Sequence, residues 1–230
     1  MSIVSQLTII SVYRNREISV LKRHLDALAQ QTKNGFRYIL IDYGSLPTLS
    51  DEVKDIIKAY SFVSYFYIET RGWFWSRTHA FNCGILKSNT ENIMILDVDM
   101  ILHPDLLAKL EERWNEKQAL VFKVHYLPPD FEDFTALWGN IDHVLSIANK
   151  SSNDGRGNIL VKKKWFEQIQ NYDEFYHFWG GEDGDMIFAL DSWGIGFDWF
   201  DLKENPILHQ WHPEIIKQLP KGWISVKKIC

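Results

Sequence analysis

The chain has 230 residues, 46% hydrophobic side chains and a formal net charge of -5, which suits one sizeable packed domain or two small ones. The negative balance argues against bulk nucleic-acid binding, so an anionic ligand has to be held by local arginines or by a metal. No run reaches the ~18–20 apolar residues of a membrane span, the opening Ile3–Ile10 is too polar and lacks the basic start of a signal peptide, and the only cysteines, Cys83 and Cys230, indicate a reducing, cytoplasmic setting without a disulfide framework.

In chain order, apolar periodicity predicts a strand at 7–12, a helix at about 17–30, a strand at 36–42, a helix at 50–60, a strand at 62–68, a helix at 76–87, a strand at 92–97, a helix at 104–116 and a strand at 119–126. That alternation implies an α/β fold with a mostly parallel sheet flanked by helices. After Pro128-Pro129 the pattern changes: 130–150 is mixed and aromatic, and Ser151–Gly157 reads as a loop. A strand at 158–162, helices at 163–170 and 182–193, and a short strand at 197–201 follow. With no repeat or linker, residues 1–230 read as a single domain, with a nucleotide-binding half at 1–127 and an acceptor-binding half at 128–230. The ten Trp, nine Tyr and fourteen Phe serve core packing or sugar stacking, and composition does not separate the two.

Chemistry gathers at the ends of the predicted strands, where ligands bind in open α/β sheets. Arg14 and Arg16 sit where the first strand hands over to a helix, placed to bind a diphosphate jointly with helix amides, or simply as a solvated turn. Asp42 ends the second strand, where it reads a pyrimidine imide or a ribose, or opens a turn closed by Gly44. Arg77 and Asn82 lie on the helix leading to Asp97-Val98-Asp99. If that triplet continues the strand, Asp97 and Asp99 point the same way, and a divalent cation relieves their repulsion while gripping a diphosphate; the plain alternative is that it ends the strand and caps the next helix. Further on, Trp179-Gly180-Gly181-Glu182-Asp183-Gly184-Asp185 combines a stacking ring, approachable backbone and carboxylates at a helix start. Adjacent on a helix, Glu182 and Asp183 point in different directions, one to orient an acceptor hydroxyl and one to remove its proton. His209 and His212 are candidates to complete a manganese site, His209 being preferred.

These motifs resemble the metal-dependent glycosyltransferases of the GT-A fold, specifically the β-1,4-galactosyltransferase type and related family 2 bacterial enzymes, including chondroitin-polymerase-like domains. The likeness runs from about residue 7 to residue 213. Arg14-Asn15-Arg16-Glu17 is similar to the Phe-Arg-Asn-Arg turn, Trp75–Gly84 to the Asn-Arg-Ala…Asn-Val-Gly helix, Asp97-Val98-Asp99 to the DxD motif, and Trp179–Asp183 to Trp-Gly-Gly-Glu-Asp. The resemblance implies a Rossmann-like GT-A domain that moves a hexose, galactose, N-acetylgalactosamine or similar, from a UDP-sugar to a glycan or lipid-linked glycan hydroxyl in surface polysaccharide synthesis. It implies Mn2+ or Mg2+ on Asp99, aided by Asp97 and by His209 or His212. Arg14, Arg16, Asp42, Arg77, Asn82 and Asp97 would bind the donor, Trp179, Gly180, Gly181 and Glu182 the acceptor, and Asp183 would act as base in an inverting transfer. The extra domain, membrane anchor and disulfides of the eukaryotic members have no counterpart here. Other readings are a nucleotidyltransferase, which also pairs carboxylates with metal, or a non-catalytic sugar-nucleotide or glycan binding module. The four lysines among residues 217–228 could touch an anionic membrane peripherally, or form a solvated end.

Overall fold

A computed structural model of the protein describes residues 2–150, 157–178, 180–201, 203 and 205–213. Trp179, most of the 151–157 loop and the lysine-bearing tail lie outside the described residues. The elements are β1 (Leu7–Tyr13), α1 (Ile18–Ala29), β2 (Arg37–Tyr43), α2 (Pro47–Ile57), β3 (Val63–Ile68), α3 (Arg77–Lys87), β4 (Asn92–Ile95), β5 (Met100–Leu102), α4 (Leu106–Arg113), β6 (Ala119–Phe122), β7 (Val124–Tyr126), α5 (Ile141–Ile147), β8 (Asn149–Lys150), β9 (Ile159–Lys162), α6 (Lys163–Gln168), α7 (Glu182–Ser192), β10 (Phe197–Phe200) and β11 (Ile207–His209).

Seven strands form the main sheet in the order β10-β6-β9-β4-β1-β2-β3. Only β9 runs against its neighbours, β4 and β6; the remaining pairs are parallel. Every residue of β1 is buried, and alternation sends Leu7, Ile9 and Tyr13 to one face and Ile10 and Val12 to the other. The first face is covered by α1 and α4 through Leu21, Leu25, Leu28, Leu106 and Leu110, each such leucine contributing about 1.5–3 kcal/mol of hydrophobic stabilisation before ordering costs. The second is covered by α3 and α7 through Ala80, Phe81, Ile85, Met186, Ile187 and Leu190. α3 lies close because Gly84 faces β1: a Cβ there would stand 2.4 Å from Ile10 Cγ2.

Three expectations need correction. The run at 119–126 is not one strand but two, parted at Lys123: β6 joins the main sheet, while β7 joins a second sheet of four strands, ordered β5-β11-β7-β8. Hydropathy cannot register this, because both pieces are buried and only their partners differ. The strand predicted at 92–97 ends at Ile95, so Asp97-Val98-Asp99 forms the turn between β4 and β5, closed by Met100 N–H to the Asp97 carbonyl at 3.2 Å. The helix expected at 50–60 begins earlier, with Pro47 in its first turn, where a missing N–H costs nothing.

The chain builds β1, β2 and β3 toward one edge and then crosses to place β4 on the other side of β1. The crevice beyond β1 and β4 is therefore a topological switch point. His24 of α1 is buried beneath it, its Nδ1 2.7 Å from the Met100 carbonyl at the start of β5. Since a carbonyl only accepts, that nitrogen carries the proton of a neutral ring.

Burial depresses the His24 imidazole from its ordinary 6.5 to about 4. Between these values the unfolded chain binds the extra proton, so the stability contributed by the neutral ring is complete above pH 6.5 and is lost as pH falls toward 4, by about 3 kcal/mol in all. Urea unfolding is expected to show the wild type losing about 2 kcal/mol between pH 7.5 and pH 5, and His24→Gln losing markedly less. Equal losses would contradict the assignment.

Candidate active site

The β1–α1 turn carries the two arginines. Asn15 takes a left-handed conformation (φ 51°), which asparagine tolerates better than most residues. Its side-chain oxygen accepts from Leu46 N–H at 2.8 Å and its own N–H donates to Ser45 Oγ at 3.0 Å, stapling this turn to the one after β2. The result aims the arginines differently. Arg16 reaches Asp99 at 3.4 Å, whereas Arg14 donates to the carbonyls of Trp73 and Thr70 at 3.2 and 3.5 Å.

Asp99 is the centre of the first of two charged clusters. Antiparallel pairing of β11 with β5 sets His209 opposite Met100, beside Asp99. The next residue, Gln210, is almost fully buried and pins this segment: its N–H donates to the Asp99 carbonyl at 2.9 Å, its side-chain amide donates to Val20 O at 3.1 Å, and its side-chain oxygen accepts from Arg23. His209 Nε2 then lies 3.6 Å from Asp99 Oδ1, and His212 Nε2 lies 3.1 Å from Oδ2. Both imidazoles thus join Asp99, where the sequence preferred His209. Burial alone would push the Asp99 carboxyl up, but His209, His212 and Arg16 together hold it well below the usual carboxylate range. Burial draws the His209 ring down, against the pull of Asp99.

One ligand atom from each of Asp99, His209 and His212 falls within 4.8 Å of the others. Asp99 Oδ1 is buried and accepts no hydrogen bond among the described residues, an expensive arrangement for a carboxylate unless a ligand completes it. One carboxylate and two imidazoles suit a borderline divalent cation. Asp97 does not belong to this cluster.

The second cluster is built on Arg77, the first residue of α3, whose start is capped by Ser76 Oγ accepting from His79 N–H. Its guanidinium donates through Nε and Nη2 to Asp97 Oδ1 at 3.0 and 2.9 Å, through Nη2 to the Gly157 carbonyl at 2.9 Å, and through Nη1 to Asp183 Oδ1 at 2.7 Å. Burial works against its charge, but Asp97 and Asp183 outweigh it and keep Arg77 protonated well beyond the ordinary range. Burial pushes the Asp97 carboxyl up despite Arg77, and Asp99 and Asp183 add to that push.

The two carboxylates of Asp97-Val98-Asp99 therefore diverge to different partners, because the segment is a turn rather than a strand. Asn158 fixes it by accepting from Asp97 N–H at 2.9 Å. Glu182 and Asp183, expected to point apart, both reach Arg77 Nη1, at 3.8 and 2.7 Å. Glu182 is buried and its Oε2 accepts from Gly180 N–H at 2.8 Å; a side-chain carboxylate folded back on the preceding turn needs positive φ at Gly180 and Gly181, 104° and 100°.

Two of the predicted site residues are engaged elsewhere. Asp42 ends β2 as expected, but it is fully buried and its oxygens take Ser45 N–H, Ser50 Oγ and Tyr65 Oη at 2.9, 2.7 and 2.8 Å. Asn82 brackets the Tyr172 backbone, accepting from its N–H at 3.0 Å and donating to its carbonyl at 2.9 Å, and also donates to Glu174. Gly157, Asn158 and Gln210 are site-shaping residues that sequence reasoning passed over; the Gln between two candidate histidines was the one visible signal.

A family model described as glycosyl transferase family 2 matches residues 8–170, and one described as the N-terminal domain of galactosyltransferase matches residues 146–207. No curated protein matches. Among solved structures, a crystal structure of GalNAc-T7 with UDP, GalNAc and Mn2+ is similar, with a TM-score of 0.68 and 15% identity over 91% of this chain and 44% of that one. The chain thus spans under half the length of that relative, and at this identity the likeness establishes the fold, GT-A. With the first model matching well over half of its residues, including the Arg14–Arg16 turn, Arg77 and both aspartates of the β4–β5 turn, the chain belongs to glycosyl transferase family 2.

Proposed function

We propose that this glycosyltransferase moves a hexose, galactose or N-acetylgalactosamine or a close relative, from a UDP-sugar to a hydroxyl of a glycan acceptor, with inversion at the anomeric carbon. The observation that carries the reading is the division of charge about one turn: Asp99 with two imidazoles and Arg16 on one side, Arg77 with Asp97 and Asp183 on the other. Such a pair of clusters suits a leaving diphosphate and a base. The GalNAc-T7 structure holds UDP, GalNAc and Mn2+ on the same fold, which supports a UDP-sugar and manganese for this chain, with magnesium as the harder alternative. The family match favours this reading over a nucleotidyltransferase.

Asp99, His209 and His212 would hold the divalent cation, whose chemistry there is Lewis-acid stabilisation of the departing diphosphate. Arg16 adds its charge to the same group, and Arg14 stands two residues earlier on the same turn, where its bonds to the Trp73 and Thr70 carbonyls secure the nucleotide side. Arg77 fixes the carboxylates of Asp97 and Asp183 relative to one another. Asp183 takes the proton of the acceptor hydroxyl; the oxygen bonds to the anomeric carbon as the carbon–oxygen bond to UDP breaks, and that electron pair leaves with the diphosphate. Glu182, buried and fixed by Gly180, orients the turn that presents the acceptor. Asp42 holds the turn after β2 through Ser45, Ser50 and Tyr65, and Asn82 holds the Tyr172 backbone. On this reading both halves serve the donor, with Arg16 and Asp99 from 1–127 joined by His209 and His212 from 128–230, while the acceptor meets Asp183 of the second half. Among the described residues no helix is long and apolar enough to cross a membrane, and a surface polysaccharide made from lipid-linked acceptors at the inner membrane face is the proposed destination.

Asp183→Asn is expected to lower transfer about 10²–10⁴-fold, the usual worth of a general base, with UDP affinity in the presence of Mn2+ nearly unchanged. A variant retaining wild-type turnover would remove Asp183 from that role. Calorimetric titration of UDP should show Mn2+-dependent binding in the wild type, abolished by EDTA, and no response to Mn2+ in the variant carrying both His209→Ala and His212→Ala. Mn2+ dependence surviving in that variant would contradict the ligand set.

A further inference from the structure

Next to Arg77 in sequence, Ser76 lines a cavity of about 510 Å³, a size common for small-ligand sites (~300–1,000 Å³). Its walls come from Trp73 and Phe74 before α3, Tyr43 at the end of β2, His79 on α3, and Glu174 and His177 in the loop before α7. We propose that this cavity is a saccharide subsite, binding a neutral sugar residue of the acceptor adjacent to the one that reacts. The proposal rests on the glycosyl-transfer reading above and deepens it.

The aromatic wall is exposed yet held in place. Trp73 and Phe74 are 61% and 55% exposed, although large apolar rings are costly to leave in water. Trp73 stacks on His79 at 6.4 Å with an interplanar angle of 18°, and His79 Nδ1 lies 2.8 Å from Tyr43 Oη. The Trp73 backbone is tied at both ends, its N–H donating to Thr70 O at 2.9 Å and its carbonyl accepting from Arg14. Phe74 rests against Phe178 at 5.3 Å and against His177 at 6.2 Å. A pyranose offers a flat face of C–H groups ringed by hydroxyls, which matches an aromatic plate bordered by carboxylate and imidazole groups. The lining carries the carboxylate of Glu174 and, among the described residues, no arginine or lysine; the nearby Arg14, 5.9 Å from the Tyr43 ring centroid, turns donors to the Trp73 and Thr70 carbonyls, so the cavity suits a neutral sugar better than a diphosphate.

The same chain segment continues into the proposed catalytic turn. Ser76 and Thr78 hydroxyls donate to the Tyr176 carbonyl at 3.2 and 3.3 Å, and Phe178 N–H donates to Trp75 O at 2.8 Å. These bonds fasten the loop before Gly180 and Gly181 to the first turn of α3, the turn that carries Arg77. The cavity and the Asp183 carboxylate are thus tied to the same two segments, the first turn of α3 and the chain leading into α7, which is the ground for placing the next sugar of a glycan engaged at Asp183 in this cavity.

The test is binding to an array of neutral mono- to pentasaccharides, run beside thermal stabilisation by UDP with Mn2+, for the wild type and for the double variant Trp73→Ala/Phe74→Ala. The expected result is that the wild type retains a subset of oligosaccharides and the variant binds them about tenfold or more weakly, as loss of two stacking rings implies, with the UDP–Mn2+ stabilisation unchanged. Equal binding by the two proteins, or no neutral glycan bound by the wild type, overturns the subsite. Loss of the UDP–Mn2+ stabilisation in the variant overturns it as well, by giving the cavity to the nucleotide. Absence of that stabilisation in the wild type counts against the donor reading instead, while the array still decides the subsite.

Discussion

The arrangement depends most on one buried charge. Arg77 has little solvent to satisfy it, and a guanidinium in that position is tolerable only with its fork filled. Its donors are taken by Asp97 from the β4–β5 turn, by the Gly157 carbonyl before β9 and by Asp183 at the start of α7. Three segments distant in sequence are thereby required to meet at the first residue of α3. Removing either acid leaves the guanidinium under-paired, so the position of Asp183, the proposed base, is set by the same contacts that bring these segments together.

The other side of the site is placed by strand register rather than by charge. The small sheet runs β11 back along β5, and the pairing of His209 with Met100 leaves little freedom in where the imidazole stands relative to Asp99. Gln210 then ties the segment to α1. Asp97 and Asp99 belong to one short turn closed by its own hydrogen bond, so the two clusters share one backbone support. The proposed cation site and the proposed base thus have a common origin, at the switch point where β1 and β4 part.

Much of this was legible in the sequence. Buried strands such as Leu7–Tyr13 and Arg37–Tyr43, and helices with one apolar face such as Ile18–Ala29, carry local periodicity that survives folding. The motifs Arg14–Arg16, Asp97–Asp99 and Glu182–Asp183, with both late histidines, marked the segments that the fold gathers. What stayed hidden was relational. The run at 119–126 gives no sign that its halves serve different sheets, and α5, in the mixed aromatic stretch, is short and has little buried surface of its own. The strand-like approach to Asp97 concealed the turn that sends the two aspartates apart. Asp42 and Asn82 have the chemistry of ligand contacts but spend it within the protein, a choice made by neighbours such as Ser50, Tyr65 and Tyr172 that no local pattern reveals.

The central claim is a single displacement with Asp183 facing the leaving diphosphate across the anomeric carbon. Its most direct test is the anomeric configuration of the first product formed from an α-linked UDP-hexose, followed by proton NMR before mutarotation or further transfer. The account predicts a β-glycoside from the earliest time points. An α-linked product would contradict it, because retention requires a different disposition of the reacting groups than Asp183 held by Arg77 provides.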